Sequence, residues 1–596
     1  MFSSLNKLNA LLSGRDRRNL LILLIMMVAA AVLEVVGVSA IPAYVSAVVS
    51  PERFMAYPGV QPVLHWLGLS GTQEILIWGS LGLFLLFGLK NAFLVWNYYW
   101  QARFIANRRV HLARRLVTAY LHAPYSFHLG RNTSELIRNV NRETNLLANH
   151  VLAPLLEIIT RSLILVAVTA LLLWMEPFIT LIWMGIFGLI SAFGVSALSL
   201  RMRRYGLMEQ VQRKQVIQAL HQGLGSIKES RVLHREDYFV ARIVESISRI
   251  AAATRFKRFG GQLIAPVTEA VAVIGLSAIT VTLVLMDRPM ESILVTVALF
   301  VVALVRLRDA LNVIMSRWTV LRYHVAAVDP VYADLQALES SPTPVTAPAD
   351  GTLSITRDIQ LHEVWYRYPG ASEAALRGVS LRIPAGTAVG IVGGTGAGKS
   401  TLVDVILGLL VPERGELRVD GADLHRGGLH AWQSWIGYIP QSIYLLDDTL
   451  RRNIALGVED ADIDEVALTR AIHAAQLEPL VAKLPAGLDT PTGERGVRLS
   501  GGERQRIGIA RALYHNPQVL IMDEATSALD NLTEQAIIQA VDALRGQRTV
   551  IMIAHRLSTV RNCHTLYFLK EGRIEATGNY EELRASSQDF SLMASN

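Results

Sequence analysis

Gly393-Gly394-Thr395-Gly396-Ala397-Gly398-Lys399-Ser400, followed by Thr401, decides how the second half of this chain folds. The run Ala388–Val392 before it is apolar with strand character, and helical spacing begins near Gly398. Glycines in a strand-to-helix turn let backbone N–H groups approach an anion with no Cβ in the way, and the helix aims the positive end of its dipole at it. In this pattern Lys399 brings a point charge to the terminal phosphates of a nucleotide, Ser400 a hydroxyl to Mg2+, and Thr401 a further hydrogen bond. Downstream, Val519-Leu520-Ile521-Met522 reads as a buried strand that ends in Asp523-Glu524. Adjacent strand residues face opposite ways, so the two carboxylates can divide the work: Asp523 near Mg2+, Glu524 polarising the attacking water. Short β-rich runs such as Thr549–Ala554 alternate with helices throughout 353–588, the pattern of an α/β nucleotide-binding domain.

The first half of the chain has another character. Of the 596 residues 51% are hydrophobic and only 18% charged, with mean hydropathy +0.33. Six apolar stretches, near 20–49, 75–99, 150–174, 177–200, 263–286 and 292–314, approach the ~20 residues that cross a bilayer as helix. Between the second and third, and between the fourth and fifth, lie long polar segments of helical pattern. They carry eight Lys or Arg in 101–149 and thirteen in 201–262, against Arg53 and Arg288 in the short connections. Cytoplasmic segments collect Lys and Arg, so the long segments and both termini are expected in the cytoplasm. This asymmetry accounts for much of the net charge of +7 without a nucleic-acid partner. The hairpin tips are expected around Asn132–Glu135 and Ser226–Glu229. Cys563 is the sole cysteine, which excludes an intrachain disulfide framework and a cysteine-cluster metal site. The organisation expected is an amphipathic helix at 1–19, a six-helix membrane domain at 20–327, a Pro-punctuated linker at 328–352, the nucleotide-binding domain at 353–588 and a tail at 589–596.

With Leu499-Ser500-Gly501-Gly502-Glu503 added, residues 353–588 resemble the nucleotide-binding domain of ABC transporters, and residues 20–327 resemble the six-helix membrane domain of ABC exporters. The fold implied is an α-helical polytopic membrane domain with long cytoplasmic extensions, fused to an α/β P-loop nucleotide-binding domain: a half-transporter driven by ATP and Mg2+. By that resemblance Tyr368 stacks on adenine, and Gln441, in Ile-Pro-Gln-Ser, gives an amide oxygen to Mg2+ and senses the membrane domain. Thr492–Gly496 touches the hairpin tips, and Asp530, in Ser-Ala-Leu-Asp, links two active sites. His555, in Ile-Ala-His-Arg, holds the γ-phosphate. The signature has Glu503 where the family usually has Gln. Its helix start, with Ser500, Gly501 and Gly502, suits the γ-phosphate of a nucleotide held by an opposite subunit. One phosphate loop, one signature and six spans per chain require a partner, and a C2 homodimer is the commonest closed solution, with a related chain as the alternative.

Substrate is less legible. Ionisable residues at membrane depth are functional candidates: Glu34, Lys90, Glu157, Arg161, Glu269 and Arg306. Lys90 and Arg306 are the candidates for an anionic head group. Residues 402–410 and 436–445 are similar to those of the flippases of lipid-linked oligosaccharides, the PglK type, with 61–68 as a short external helix; no basic residue stands near Ala265, where that type suggests a third. The expected role is thus to flip a lipid-linked oligosaccharide or other amphipathic lipid across the inner membrane. Export of drugs or of a lipid A core is the alternative, and a membrane-anchored ATPase without transport leaves the long helical extensions without purpose.

Overall fold

The structure is a computed structural model. It describes all residues except 1, 56–58, 60, 63–64, 66–70, 340–354, 494–495, 524–545, 547, 555–556 and 596; for 2–5, 53, 183–184, 186–204, 206–207, 210, 257, 260–261, 263–265 and 595 only the backbone is described. The chain forms two compact units, Met1–His122 with Thr133–Ser340, and Ala123–Asn132 with Ser341–Asn596.

The first unit is helical. A short helix α1 (Phe2–Ala10) precedes α2 (Gly14–Val49) and the 50-residue α3 (Thr72–Leu121). At 1.5 Å per residue α3 is about 75 Å long, far more than a bilayer requires, so much of it stands outside. The next long helix runs over 133–175; it winds wider at Asn139–Glu143 and Leu147–Leu152 before its regular part, α5 (Ala153–Met175). Then come α6 (Pro177–Gly225), the short α7 (Ile227–Val232), α8 (Glu236–Leu285), α9 (Met290–His324) and α10 (Val328–Glu339). Among the described residues five of these segments are long and apolar enough to span a membrane. The side chains of the fourth expected span, 177–200, fall mostly outside the described residues, as does most of 61–68. Ala31, Val38, Ile164, Leu283 and Phe300 form one buried core between α2, α5, α8 and α9. Phe84, Leu89 and Trp174, by contrast, are over 70% exposed, as expected of a surface whose solvent is lipid.

The second tip begins where expected, at Ser226, and turns at His234 with φ +52°. The first opens earlier than Asn132. Leu121 ends α3, and Pro124 cannot donate to a helix and disfavours helical backbone at Ala123. A five-residue helix, α4 (Tyr125–Leu129), follows and belongs to the second unit.

The second unit is built on a six-stranded sheet, β10-β9-β3-β8-β7-β6, comprising β3 (Ala388–Val392), β6 (Ile436–Ile439), β7 (Val519–Asp523), β8 (Thr549–Ile553), β9 (Thr565–Lys570) and β10 (Arg573–Gly578). All pairs are parallel except β9 with β10. Every residue of β3 and β8 is buried, because both faces are covered, and this explains continuous apolar runs in place of alternation. Ala388, Leu520 and Met552 enter the core on one face; Val389, Ile521 and Ile551 enter the other. The second face also packs helix α11 (Lys399–Ile406) and a four-stranded antiparallel sheet, β2 (Leu376–Pro384), β1 (Asp358–Tyr366), β4 (Arg414–Val419) and β5 (Ala422–Asp423). The first face packs helix α12 (Gly501–Tyr514).

Candidate functional site

Parallel strands end on the same edge, so β3, β7 and β8 deliver their loops together: Gly393 after Val392, Asp523 as the last residue of β7, and Ala554 after Ile553. Ligands of open α/β sheets bind at that edge. Gly393 is fixed by space, since a Cβ there would lie 2.2 Å from the carbonyl oxygen of Leu569. Gly398 is fixed by conformation as well: its φ is +102°, and a Cβ would lie 2.8 Å from the Ala375 carbonyl oxygen. A Cβ at Gly394 or Gly396 would meet nothing within 4 Å, so the loop borders open space in which phosphates fit. Lys399 is buried, and its ammonium donates to the carbonyls of Gly393 (2.8 Å) and Gly394 (2.9 Å), curling the loop about a positive charge. Thr395 and Ser400 are exposed, while Ala397 and Thr401 are buried. The Tyr368 and Thr401 hydroxyls are hydrogen-bonded at 2.9 Å, which ties the aromatic residue expected at adenine to the phosphate-loop helix. An open glycine loop around a buried ammonium, beside a strand-end carboxylate, fits a magnesium nucleotide.

Asp523 continues the alternation of Val519 and Ile521 and therefore faces the same layer as α11. On that helix Asp404 lies four residues after Ser400, on the same helical face. Burial first, and the neighbouring charge of Asp523 second, push the Asp404 carboxyl up to about 6. The Tyr438 hydroxyl, from β6, is hydrogen-bonded to Asp523, and burial chiefly drives its pKa up. Tyr125 of α4 faces Asp404 and Tyr368; burial, then these two groups, raise its pKa. Asp404, Tyr438 and Tyr125 were not among the residues singled out from sequence. The four-residue interval from Ser400 to Asp404 was the available signal for one of them.

Ser500 is the N-cap of α12, and Glu503 turns back onto it rather than into solvent. The Ser500 N–H donates to Glu503 Oε2 at 2.7 Å, and the Glu503 N–H to Ser500 Oγ at 3.2 Å. This reciprocal pair is a capping box, and Ser-x-x-Glu was its sequence sign. Gln441 lies exposed in the loop after β6. That loop is braced further on: buried Asn453 donates to the Leu446 carbonyl at 3.1 Å, Thr492 donates to the same carbonyl at 2.9 Å, and Arg511 of α12 donates to the Tyr444 carbonyl at 3.0 Å. Glu524, Asp530 and His555 lie outside the described residues.

In the membrane unit the six ionisable residues expected at membrane depth are all ion-paired. Arg161 meets Asp309 (2.9 Å), Arg308 meets Glu269 (3.2 Å) and Arg317 meets Glu157 (2.5 Å). Glu34 serves two cations, Lys90 at 2.9 Å and Arg306 at 3.6 Å. Lys90 is 1% exposed and lies over the Phe87 ring; a Cβ at Gly37 would lie 3.3 Å from its Cδ, so that glycine makes room for it. Arg306, whose side chain is 37% exposed, is the accessible one of the two basic residues expected to meet substrate.

Two family models match the chain, the ABC transporter transmembrane region over residues 21–307 and the ABC transporter over 376–527. Curated relatives include the ATP-dependent lipid A-core flippase of Cupriavidus pinatubonensis, 31% identical over 471 residues and 78% of each chain. That of Sodalis glossinidius is 30% identical over 527 residues, 86% of this chain and 87% of its own. A bacterial Atm1-family ABC exporter solved with ATP bound superimposes with a TM-score of 0.75 and 23% identity, over 97% of this chain and 98% of that one. The resemblance to ABC exporters therefore holds, without the narrower one to oligosaccharide-lipid flippases. The chain belongs to the ABC transporters, as an ATP-hydrolysing exporter half-transporter with a multi-span membrane domain and a cytoplasmic nucleotide-binding domain.

Proposed function

We propose that two copies of this chain form a C2 dimer that moves an anionic amphipathic lipid of the lipid A-core class across the membrane. A lipid-linked oligosaccharide, with its own phosphates, shares the chemistry and ranks second. The observation that carries the reading is that two cations share one carboxylate at membrane depth. Arg161, Arg308 and Arg317 each meet an anion of their own, Asp309, Glu269 and Glu157, whereas Lys90 and Arg306 share Glu34. Arg306 is the exposed sharer. A planar guanidinium suits a phosphate through two parallel hydrogen bonds. Lys90 then serves to neutralise Glu34, which an unpaired position in a bilayer would not tolerate.

In the soluble domain Lys399, Thr401 and the N–H groups of the loop 393–398 are proposed to hold the phosphates, and Tyr368 the adenine. Ser400, Gln441 and Asp523 would hold Mg2+, which supplies charge neutralisation on the β- and γ-oxygens. Glu524 is proposed to orient the attacking water, His555 to hold the γ-phosphate, and Asp530 to link the two sites. Ser500, Gly501 and Gly502 of one copy would close over the nucleotide of the other, since a helix start is suited to a phosphate.

Proteoliposomes test the reading. ATPase activity should rise with a lipid A-core glycolipid, and less or equally with a polyprenyl-pyrophosphate glycan. Arg306→Gln should remove most of that stimulation while leaving basal turnover within about twofold. Stimulation by neutral dyes alone, insensitive to Arg306→Gln, would reject it.

A further inference from the structure

Asp404 of α11 and Asp523 at the end of β7 lie on the same side of the main sheet, near enough for the Asp523 charge to act on the Asp404 carboxyl. A neutral hydrogen-bond donor beside such a carboxylate can fix its orientation without adding a countercharge. Tyr438 has the right chemistry. It stands on β6, the neighbour of β7, with Ile439 opposite Met522, so its ring lies against the face to which Asp523 points. It is a phenol, a neutral donor on a rigid two-torsion side chain, and its hydroxyl is engaged by Asp523.

We propose that Tyr438 is a positioning residue for metal binding: by donating its hydroxyl hydrogen to Asp523 it holds that carboxylate in the orientation that receives Mg2+, against the push of Asp404. The family's phosphate loop, paired strand-end acids and signature do not include this side chain, and nothing in its apolar sequence context, Ile436-Gly437-Tyr438-Ile439, marks it. The inference rests on Asp523 as a magnesium ligand and extends that assignment to the group that aims it. The short helix carrying Tyr125 brings a further phenol to Asp404, so the same acid pair is bordered by chain that connects directly to the end of α3.

The test uses the full-length protein in nanodiscs. Tyr438→Phe keeps the ring and its packing and deletes only the donor. It should raise the Mg2+ concentration for half-maximal ATPase about tenfold, with KM for ATP at saturating Mg2+ changed by less than about twofold. A direct readout independent of turnover is Mn2+ binding to the ATP complex, followed by electron paramagnetic resonance, which should weaken by a similar factor. Adding Asp404→Asn to Tyr438→Phe removes the opposing charge, so the double variant should recover at least a third of the lost Mn2+ affinity. Wild-type metal affinity in Tyr438→Phe, or a double variant no better than the single one, would overturn the inference. Asp523→Asn separates this from failure of the parent reading: if it leaves Mn2+ binding intact, Asp523 is not a ligand and both assignments fall; if it abolishes binding while Tyr438→Phe does not weaken it, only the role of Tyr438 falls.

Discussion

Replacing Glu503 by Gln should tighten ATP binding without unfolding the helix that carries it. The capping box needs an acceptor for the Ser500 N–H, now bonded at 2.7 Å, and a Gln amide oxygen can supply it. What disappears is a full negative charge at a helix start, whose interaction with the dipole contributes about 0.3–1 kcal/mol to stability. The other side of the ledger concerns the nucleotide. A phosphate oxygen bonded to the N–H of Gly501 or Gly502 would sit about 6–7 Å from the Glu503 carboxylate, and at an effective dielectric constant of about 40 two like charges at that separation repel by about 1 kcal/mol. The expected result is a KM for ATP lowered about fivefold at low ionic strength, with a melting temperature lower by at most a few degrees. The gain should shrink as salt is raised from about 0.05 to 0.5 M, because the carboxylate is exposed to screening. Steady-state ATPase assays across that range, paired with thermal melts, read both effects. Glu503→Ala is the contrasting variant, since it removes the charge and the cap together and should cost roughly 1 kcal/mol of stability. A KM unchanged or raised in Glu503→Gln at low salt would refute the reasoning.

Three further outcomes are expected. Glu34→Gln leaves the buried Lys90 ammonium without its anion and should destabilise the membrane domain by about 3 kcal/mol, whereas Arg306→Gln, which leaves the 2.9 Å Lys90–Glu34 pair intact, should cost less than about 1 kcal/mol; equal melting temperatures in detergent would contradict this ranking. Asp420 is pulled up by burial but held below its ordinary value by the N–H groups of Thr356, Arg357 and Asp358, at 2.8, 2.8 and 3.0 Å. Its folded-state pKa being the lower one, its contribution is present above about pH 4 and fades as pH falls through the folded value, so melts of Asp420→Asn and the parent should differ by about 1 kcal/mol at pH 7 and converge below pH 4. Glu524→Gln should reduce ATPase turnover at least about a hundredfold while retaining ATP and trapping a closed dimer, checked by nucleotide retention and cross-linking; near-normal turnover would remove Glu524 from the water-polarising role.

Much of this protein is written in contiguous stretches, and those were legible. A phosphate loop is a local object: Gly393 and Gly398 are demanded by neighbours and by a left-handed φ, and the apolar strand and helix on either side complete the pattern within fifteen residues. Membrane spans are equally local, because each helix satisfies its own backbone in lipid. The Glu503 cap is also legible as Ser-x-x-Glu. Charge alone favours water, but the orphan N–H at the helix start favours the carboxylate more.

Pairings across long stretches of chain were not written there. The sequence flagged Glu34, Lys90 and Arg306 as ionisable groups at membrane depth, but it could not say that one carboxylate would serve both cations, burying Lys90 and leaving Arg306 exposed. Nor could it bring Asp404, Tyr438 and Asp523 together from a helix and two strands. Periodicity and glycine placement report what a residue's immediate neighbours require. Which charge meets which is fixed only when helices pack and strands register, since Coulomb energy depends on separation in space and on exclusion of water, neither of which a linear order contains.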